Sequence, residues 1–174
     1  MTDWAKAMNP TSPLDTEEAA LAAAKVSAIG MVIGALHQGV GVWYSTTPAA
    51  QEAAARMIEQ FTGQAPDPAA LAQQGQFGLM LGVGLTLLQL ILAAVQWRKP
   101  NKVLPILFLI LVVWGLGGGV LALLVPAMAA AQPMWLTFFT IVTMLIAGLM
   151  HIAGIRGSSA LDRIRMDAAN TYQD

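Results

Sequence analysis

The sequence contains no cysteine, and only 11% of its 174 residues are charged. The missing thiols exclude disulfide bonds, thiolate nucleophiles and cysteine-ligated zinc or iron–sulfur sites. Soluble domains typically carry about 25% charged residues, so this chain does not have the composition of a water-soluble domain. The formal net charge of −1 and the lack of any basic run also argue against a nucleic-acid partner.

Three long segments lack Asp, Glu, Lys and Arg altogether: residues 26–51, 68–97 and 103–155. A membrane-spanning helix needs about 20 predominantly apolar residues at a rise of ~1.5 Å per residue. The last segment is long enough for two crossings, which Pro126 and Pro133 divide. We therefore predict an all-α integral membrane protein, a four-transmembrane-helix bundle with an outer amphipathic helix and a short cytoplasmic C-terminal helix.

The predicted boundaries follow the prolines, glycines and charged residues along the chain. In order, they give a cytoplasmic N-terminal segment (1–18), a first span (19–45), an extracytoplasmic loop (46–75), a second span (76–97), a cytoplasmic loop (98–102), a third span (103–125), an outer turn (126–133), a fourth span (134–155) and a cytoplasmic tail (156–174).

The extracytoplasmic loop contains the predicted amphipathic helix, residues 48–62. Thr47 followed by Pro48 is typical of a helix start, and Gly63 is typical of a helix end. One face of this helix is apolar and the other charged, so it should lie on the outer membrane surface or cap the bundle. It either joins two spans or acts as a lid or partner-docking surface. In the tail after Gly157, the capping-box spacing of Ser159 and Asp162 predicts a second short helix on the cytoplasmic leaflet, and a solvated tail is the alternative.

The basic residues are distributed unequally between the two sides of this topology. Eight lie on one side, namely Lys6, Lys25, Arg98, Lys99, Lys102, Arg156, Arg163 and Arg165, and Arg56 lies on the other. The positive-inside rule therefore places both termini in the cytoplasm. Predicted interface anchors agree with this orientation, with Trp43, Tyr44 and Trp135 at the outer boundary and Trp97 at the inner one. The alanine- and glycine-rich composition suits a bacterial inner (plasma) membrane, and an organelle membrane is the alternative.

Glycine pairs spaced four residues apart occur in three of the spans. Because lipid supplies no hydrophobic force between helices, small residues that let backbones approach closely stabilise helix packing. The predicted packing positions are Gly30, Gly34, Gly78, Gly82, Gly115 and Gly119. The third span also holds Gly117 and Gly118, and this run has three explanations: contact within the bundle, self-association, or contact with a ligand.

The spans carry few groups that could perform chemistry. Their interiors contain no Asp, Glu, Lys or Arg, the residues on which ion-coupled exporters and proton pumps depend. His37 and His151 are the only histidines, and their depths from the cytoplasmic side differ by about 11 Å at ~1.5 Å per residue. This difference disfavours a haem held between them. We predict no catalytic residues, no metal site and no cofactor.

The same calculation of depth places one residue or pair able to form hydrogen bonds, from every span, roughly 12–20 Å from the cytoplasmic side. This predicted midplane cluster consists of His37, Gln38, Gln89, Trp114 and Thr143. It is either an interhelical hydrogen-bond layer or a small polar site. In the second case His37 would bind a ligand or sense protonation, and Trp114 would line the wall.

Two functions are consistent with these features. The first is a non-catalytic accessory, structural or assembly subunit of a larger membrane complex, whose partners are the lipid bilayer and other membrane-protein subunits or a second copy of the chain. The second is a small carrier, channel or sensor for an apolar or neutral solute that uses the midplane cluster. The short loops and the lack of a catalytic set favour the first, which is not an enzyme.

Overall fold

A computed structural model of the chain describes residues 3–125 and 132–171. These residues form helices and connecting turns, with no β-strand among them. The helices are α1 (Trp4–Met8), α2 (Glu17–Ser45), α3 (Pro48–Thr62), α4 (Pro68–Arg98), α5 (Val103–Leu124) and α6 (Met134–Thr171). Most of the predicted outer turn, 126–133, lies outside the described residues.

Four of these helices, α2, α4, α5 and α6, are long and apolar enough to cross a membrane. α2 and α5 lie within two residues of the predicted first and third spans at each end. α4 begins at Pro68 rather than at residue 76, because Asp67 caps it. The Asp67 carboxylate accepts a hydrogen bond from the Ala69 amide at 3.0 Å, and Pro68 occupies the first helical position.

The separate C-terminal helix predicted after Gly157 is wrong, because α6 runs unbroken from Met134 to Thr171. The prediction rested on the capping-box spacing of Ser159 and Asp162, which is typical of a helix start. Here the helix continues because α2 packs directly against it. A side chain added at Gly157 would collide with the backbone of Ala20 and Ala24. Gly157 is therefore a point of close helix approach.

The predicted amphipathic helix corresponds to α3, which occupies residues 48–62, the range derived from the sequence. Thr47 accepts a hydrogen bond from the Ala50 amide at 3.3 Å, which satisfies a free N–H of the first turn. Gly63 ends the helix with a φ of 72°, a left-handed conformation that favours glycine. α3 touches α2 and α4 at only a few points, so its packing on the rest of the molecule is loose.

The long helices make extensive contacts in the order α4, α2, α6, α5. α2 packs against both α4 and α6, and α5 packs against α6. Among the described residues α4 and α5 share no extensive contact, although a short loop joins them. Near that loop, Ala93 of α4 and Phe108 of α5 belong to one buried cluster with Met31, and beyond it the side of the structure between α4 and α5 is open.

One end of the structure gathers the segments that carry most of the basic residues. Trp4 stacks on Trp97 with ring centroids 5.7 Å apart, and the Lys25 ammonium lies 5.4 Å from the Trp97 ring centroid. Arg165 forms an ion pair with Glu17 at 3.0 Å. These contacts join the N-terminal segment, the end of α4 and the end of α6. We call this the basic end, and the opposite end, where α3 lies, the α3 end.

Candidate functional site

Gln96 is a fully buried polar side chain at the basic end, with 0% exposure. Its Nε2 lies 3.0 Å from both the Ser27 hydroxyl and the Asn101 carbonyl oxygen, and its Oε1 accepts from the Asn101 amide at 3.3 Å. Gln96 therefore ties the end of α4 to α2 and to the following loop. Sequence analysis did not single it out, although a glutamine beside Trp97 in an apolar helix was a visible signal.

Two members of the predicted midplane cluster form interhelical hydrogen bonds. His37 Nε2 lies 2.9 Å from the Thr140 hydroxyl, and the His37 ring stacks on Phe139 with centroids 5.6 Å apart. Gln89 Nε2 donates to the Met31 carbonyl oxygen at 2.8 Å. The first contact joins α2 to α6, and the second joins α4 to α2. Each of these two side chains therefore bonds to a neighbouring helix.

Two other members of that cluster lie elsewhere. Trp114 is 82% exposed and points away from the neighbouring helices. It does so because Gly115, the next residue and about 100° further around the helix, faces α6. The Thr143 hydroxyl donates to the Phe139 carbonyl oxygen of its own helix at 2.7 Å. Trp114 and Thr143 therefore lie apart from the other three members, His37, Gln38 and Gln89, which line one cavity.

The predicted packing glycines fall into two groups. A neighbouring helix fills the space of a side chain at Gly30, Gly34, Gly82, Gly115 and Gly119. Gly78 faces open space among the described residues and lines the cavity described below. Close approaches that the sequence analysis missed occur at Gly154 and Gly157, where α6 meets α2. These two glycines are three residues apart, and the predicted fourth span, which ends at residue 155, contains Gly154 but not Gly157.

The glycine run of α5 is divided between two faces of that helix. A Cβ added at Gly115 would lie 3.4 Å from Met144 Sδ, and one at Gly119 would lie 3.1 Å from an Ile141 side-chain carbon. Gly117 and Gly118 have no described atom in the corresponding space. Gly118 follows Trp114 by four residues, so both lie on the same outward side of α5. We call Trp114, Gly117 and Gly118 the outer face of α5.

A cavity of about 600 Å³ lies between α2, α4, α5 and α6. This volume is within the roughly 300–1,000 Å³ range of small-molecule sites. α2 supplies its longest wall, from Gly30 to Ser45, about 22 Å of helix. Because α4 and α5 line the cavity without packing extensively on each other, it opens sideways between them. None of the residues that line it is Asp, Glu, Lys or Arg.

A second cavity, of about 780 Å³, lies beneath α3 at the α3 end. The apolar side of α3, including Met57 and Ile58, forms one wall, and the start of α4, including Leu71, forms another. Ser45 and Gly75 line both cavities, so the two spaces adjoin.

His151 lines the first cavity on α6 and is only 1% exposed. Its ring stacks on Phe108 with centroids 5.8 Å apart and an interplanar angle of 26°. The absence of a side chain at Gly30 makes room for the ring, since a Cβ there would lie 3.3 Å from His151 Cε1. Nδ1 of His151 is buried and has no hydrogen-bond partner among the described residues.

The two histidines line the same cavity at different levels. His37 contacts Thr140, which precedes His151 on α6 by 11 positions, or about 16 Å of helix. They are too far apart to ligate one haem iron from opposite sides, in agreement with the separation derived from the sequence. Within residues 3–125 and 132–171, no three His, Asp or Glu side chains are grouped as metal ligands would be.

The predicted anchors Trp43, Tyr44 and Trp135 lie at the α3 end, whereas Trp97 lies at the basic end. The rings of Tyr44 and Trp135 pack edge to face with their centroids 6.3 Å apart.

Comparison with known proteins found no matching family model, no matching curated protein and no matching solved structure.

Proposed function

We propose that the chain is a multi-pass protein of a bacterial inner (plasma) membrane, with α2, α4, α5 and α6 as the spans of a four-helix bundle. Their length and apolar composition support this placement. Large apolar side chains that are exposed on α4 and α5, such as Phe77, Ile91 and Ile110, would then contact lipid rather than water. The basic end would face the cytoplasm together with both termini, as the positive-inside rule requires.

Within the membrane, the geometry best supports a non-catalytic accessory, structural or assembly subunit. The outer face of α5 is the observation that carries this proposal. Gly117 and Gly118 weaken the helix by about 1 kcal/mol each relative to alanine, and no contact within the described chain compensates for this cost. Close packing against a helix of another membrane protein, or of a second copy, would compensate for it.

The hydrogen bonds of the midplane residues support a non-catalytic role. His37 and Gln89 are the polar side chains that a solute or proton site at this level would use. Each already bonds to another helix, His37 to Thr140 and Gln89 to the Met31 carbonyl oxygen. Under this proposal His37→Ala should leave assembly of the complex nearly unchanged.

The mass of the protein purified in a mild detergent such as digitonin tests the subunit function. Light scattering corrected for detergent should give an assembly larger than the 18.4 kDa chain. Gly118→Leu should shift the protein to the monomer, because a leucine prevents close helix approach on the outer face of α5.

Gly39→Leu is the matched control, since Gly39 is also open in the interior of an apolar helix but lies in the shallow groove between α2 and α4. Circular dichroism should show both variants folded. A monomeric native protein, or an assembly that Gly118→Leu leaves intact, would contradict the subunit function.

A carrier, channel or sensor of an apolar or neutral solute is the second candidate function, and the 600 Å³ cavity favours it. It predicts a protein that purifies alone or as a small homo-oligomer. It also predicts that His37→Ala or Gln89→Ala abolishes solute uptake or binding, whereas the subunit function predicts nearly silent variants.

A further inference from the structure

We infer that the cavity between α2, α4, α5 and α6 binds one long-chain neutral lipid, whose hydroxyl or carbonyl head group forms a hydrogen bond with His151. The inference rests on the membrane placement proposed above and holds for either candidate function. It assigns the polar end of the site to His151, and not to the midplane residues that the sequence singled out.

The His151 ring provides the polar end of this site. It is buried on the cavity wall and stacks on Phe108, and its Nδ1 lacks a partner among the described residues. A buried polar atom without a partner is unfavourable, and a bound head group would relieve that cost. A neutral imidazole has one donor and one acceptor nitrogen, so a hydroxyl can bond to it in either tautomer. His37 differs, because Thr140 already occupies its Nε2.

The rest of the cavity suits an apolar chain. Glycines at positions 41 and 78, together with Val112 and Met144, leave an open and mainly apolar passage beside α2, which also runs past the polar side chains of His37, Gln38 and Gln89. The passage extends about 22 Å along that helix. A longer chain could continue into the adjoining cavity beneath α3 through the space beside Ser45 and Gly75.

The lack of charged side chains in the cavity lining favours a neutral head group. No Lys or Arg lines the cavity to pair with a carboxylate or phosphate, and no Asp or Glu lines it to pair with an amine. An ionised head would therefore be buried without compensation. The open side between α4 and α5 would let a neutral lipid enter directly from the bilayer.

Photolabelling of the full chain in mild detergent tests the inference. The probes are hexadecanol, hexadecane and palmitate, each with a diazirine in mid-chain, and mass spectrometry locates the labelled peptides. Hexadecanol should label residues 34–42 and 144–151. It should do so about 5- to 10-fold more strongly than hexadecane, the effect of one hydrogen bond worth ~1 kcal/mol. Palmitate should label these peptides less than hexadecanol.

Three variants separate a built site from lipid that merely coats the protein. Gly41→Leu places a side chain in the open cavity and should reduce hexadecanol labelling at least about tenfold. Gly39→Leu, the same substitution two residues away and outside this cavity, should leave it unchanged. His151→Leu should bring the ratio of hexadecanol to hexadecane labelling close to one, which a purely structural role of His151 would not do.

Hexadecanol labelling that is spread over the exposed surfaces of α4 and α5 and is insensitive to Gly41→Leu would overturn the inference. So would a labelling ratio that His151→Leu does not alter. Failure of the membrane placement would be seen separately, as release of the chain from membranes by a carbonate wash.

Discussion

Glycines lie at close helix contacts at the basic end, whereas other glycines border a cavity at the α3 end. At the basic end, Gly154 and Gly157 of α6 bring the helix against small residues of α2, including Ala24 and Ser27. At the α3 end, Gly41 and Gly78 have no described neighbour and border a cavity instead. A small residue therefore produces close packing only where another helix lies near it.

The buried polar side chain at the basic end also makes more hydrogen bonds than the polar side chains nearer the α3 end. Gln96 makes several hydrogen bonds and is fully buried at the basic end. His37 and Gln89, nearer the α3 end, each make a single interhelical bond and are only half-buried. We expect most of the stability of the fold to reside at the basic end, and adaptability to ligands or partners to reside in the other half.

The strongest effect should come from a side chain introduced between α2 and α6. Gly157→Leu should lower the free energy of unfolding by about 3 kcal/mol, because it forces two backbones apart in a packed contact. Reversible unfolding by sodium dodecyl sulfate from mild detergent measures the change. Gly39→Leu, at an open position, should cost less than about 1 kcal/mol. Equal losses in the two variants would remove the contrast between the two ends.

The next largest effect should come from Gln96→Leu. Loss of this side chain leaves the Asn101 amide without its partner and the Ser27 hydroxyl with only its bond to the Ala24 carbonyl oxygen, which should cost about 2 kcal/mol of unfolding free energy. Gln73→Leu, an exposed position on the same helix, should change stability by no more than about 0.5 kcal/mol. A neutral Gln96→Leu variant would show that the buried hydrogen bonds do not stabilise the basic end.

The His37–Thr140 hydrogen bond should contribute less. A double-mutant cycle with His37→Phe and Thr140→Val should give a coupling energy near 0.6 kcal/mol, typical of hydrogen bonds between membrane helices. Phenylalanine keeps the ring that stacks on Phe139, so the cycle isolates the hydrogen bond. A coupling energy above about 2 kcal/mol would place a major stabilising contact outside the basic end.

The smallest effect should come from the ion pair between Arg165 and Glu17, although it lies at the basic end. Both side chains are more than half exposed, at 59% and 56%. Arg165→Gln should therefore reduce the unfolding free energy by about 0.5 kcal/mol or less, and 1 M salt should abolish the difference. A large, salt-independent loss would indicate that charge, rather than close backbone packing, stabilises this end.

Local sequence signals predicted the bounds of the helices more accurately than they predicted the contacts between helices. The residues that begin and end α3, Thr47 with Pro48 and then Gly63, act on the backbone next to them and are readable without tertiary structure. Asp67 with Pro68 is the same kind of signal, and it marks the true start of α4. The second span was instead predicted from residue 76, eight residues after Pro68.

Contacts between helices could not be read from depth alone. Depth arithmetic placed His37, Gln38 and Gln89 at similar levels, and they line one cavity. It could not give the rotation of α5 about its axis, which depends on the α6 side chains that Gly115 faces and which turns Trp114 outward. Nor could it show that His151, at a different level, borders the same long cavity as His37.

The most direct test of the four-span arrangement uses single cysteines introduced into this cysteine-free chain, at Gln60 in α3, Lys99 after α4 and Asn170 in α6. In intact cells, a membrane-impermeant maleimide should label Gln60→Cys. It should label Lys99→Cys and Asn170→Cys only after the membrane is permeabilised. Labelling of Asn170→Cys in intact cells while Lys99→Cys stays protected would place the two on opposite sides and contradict the arrangement.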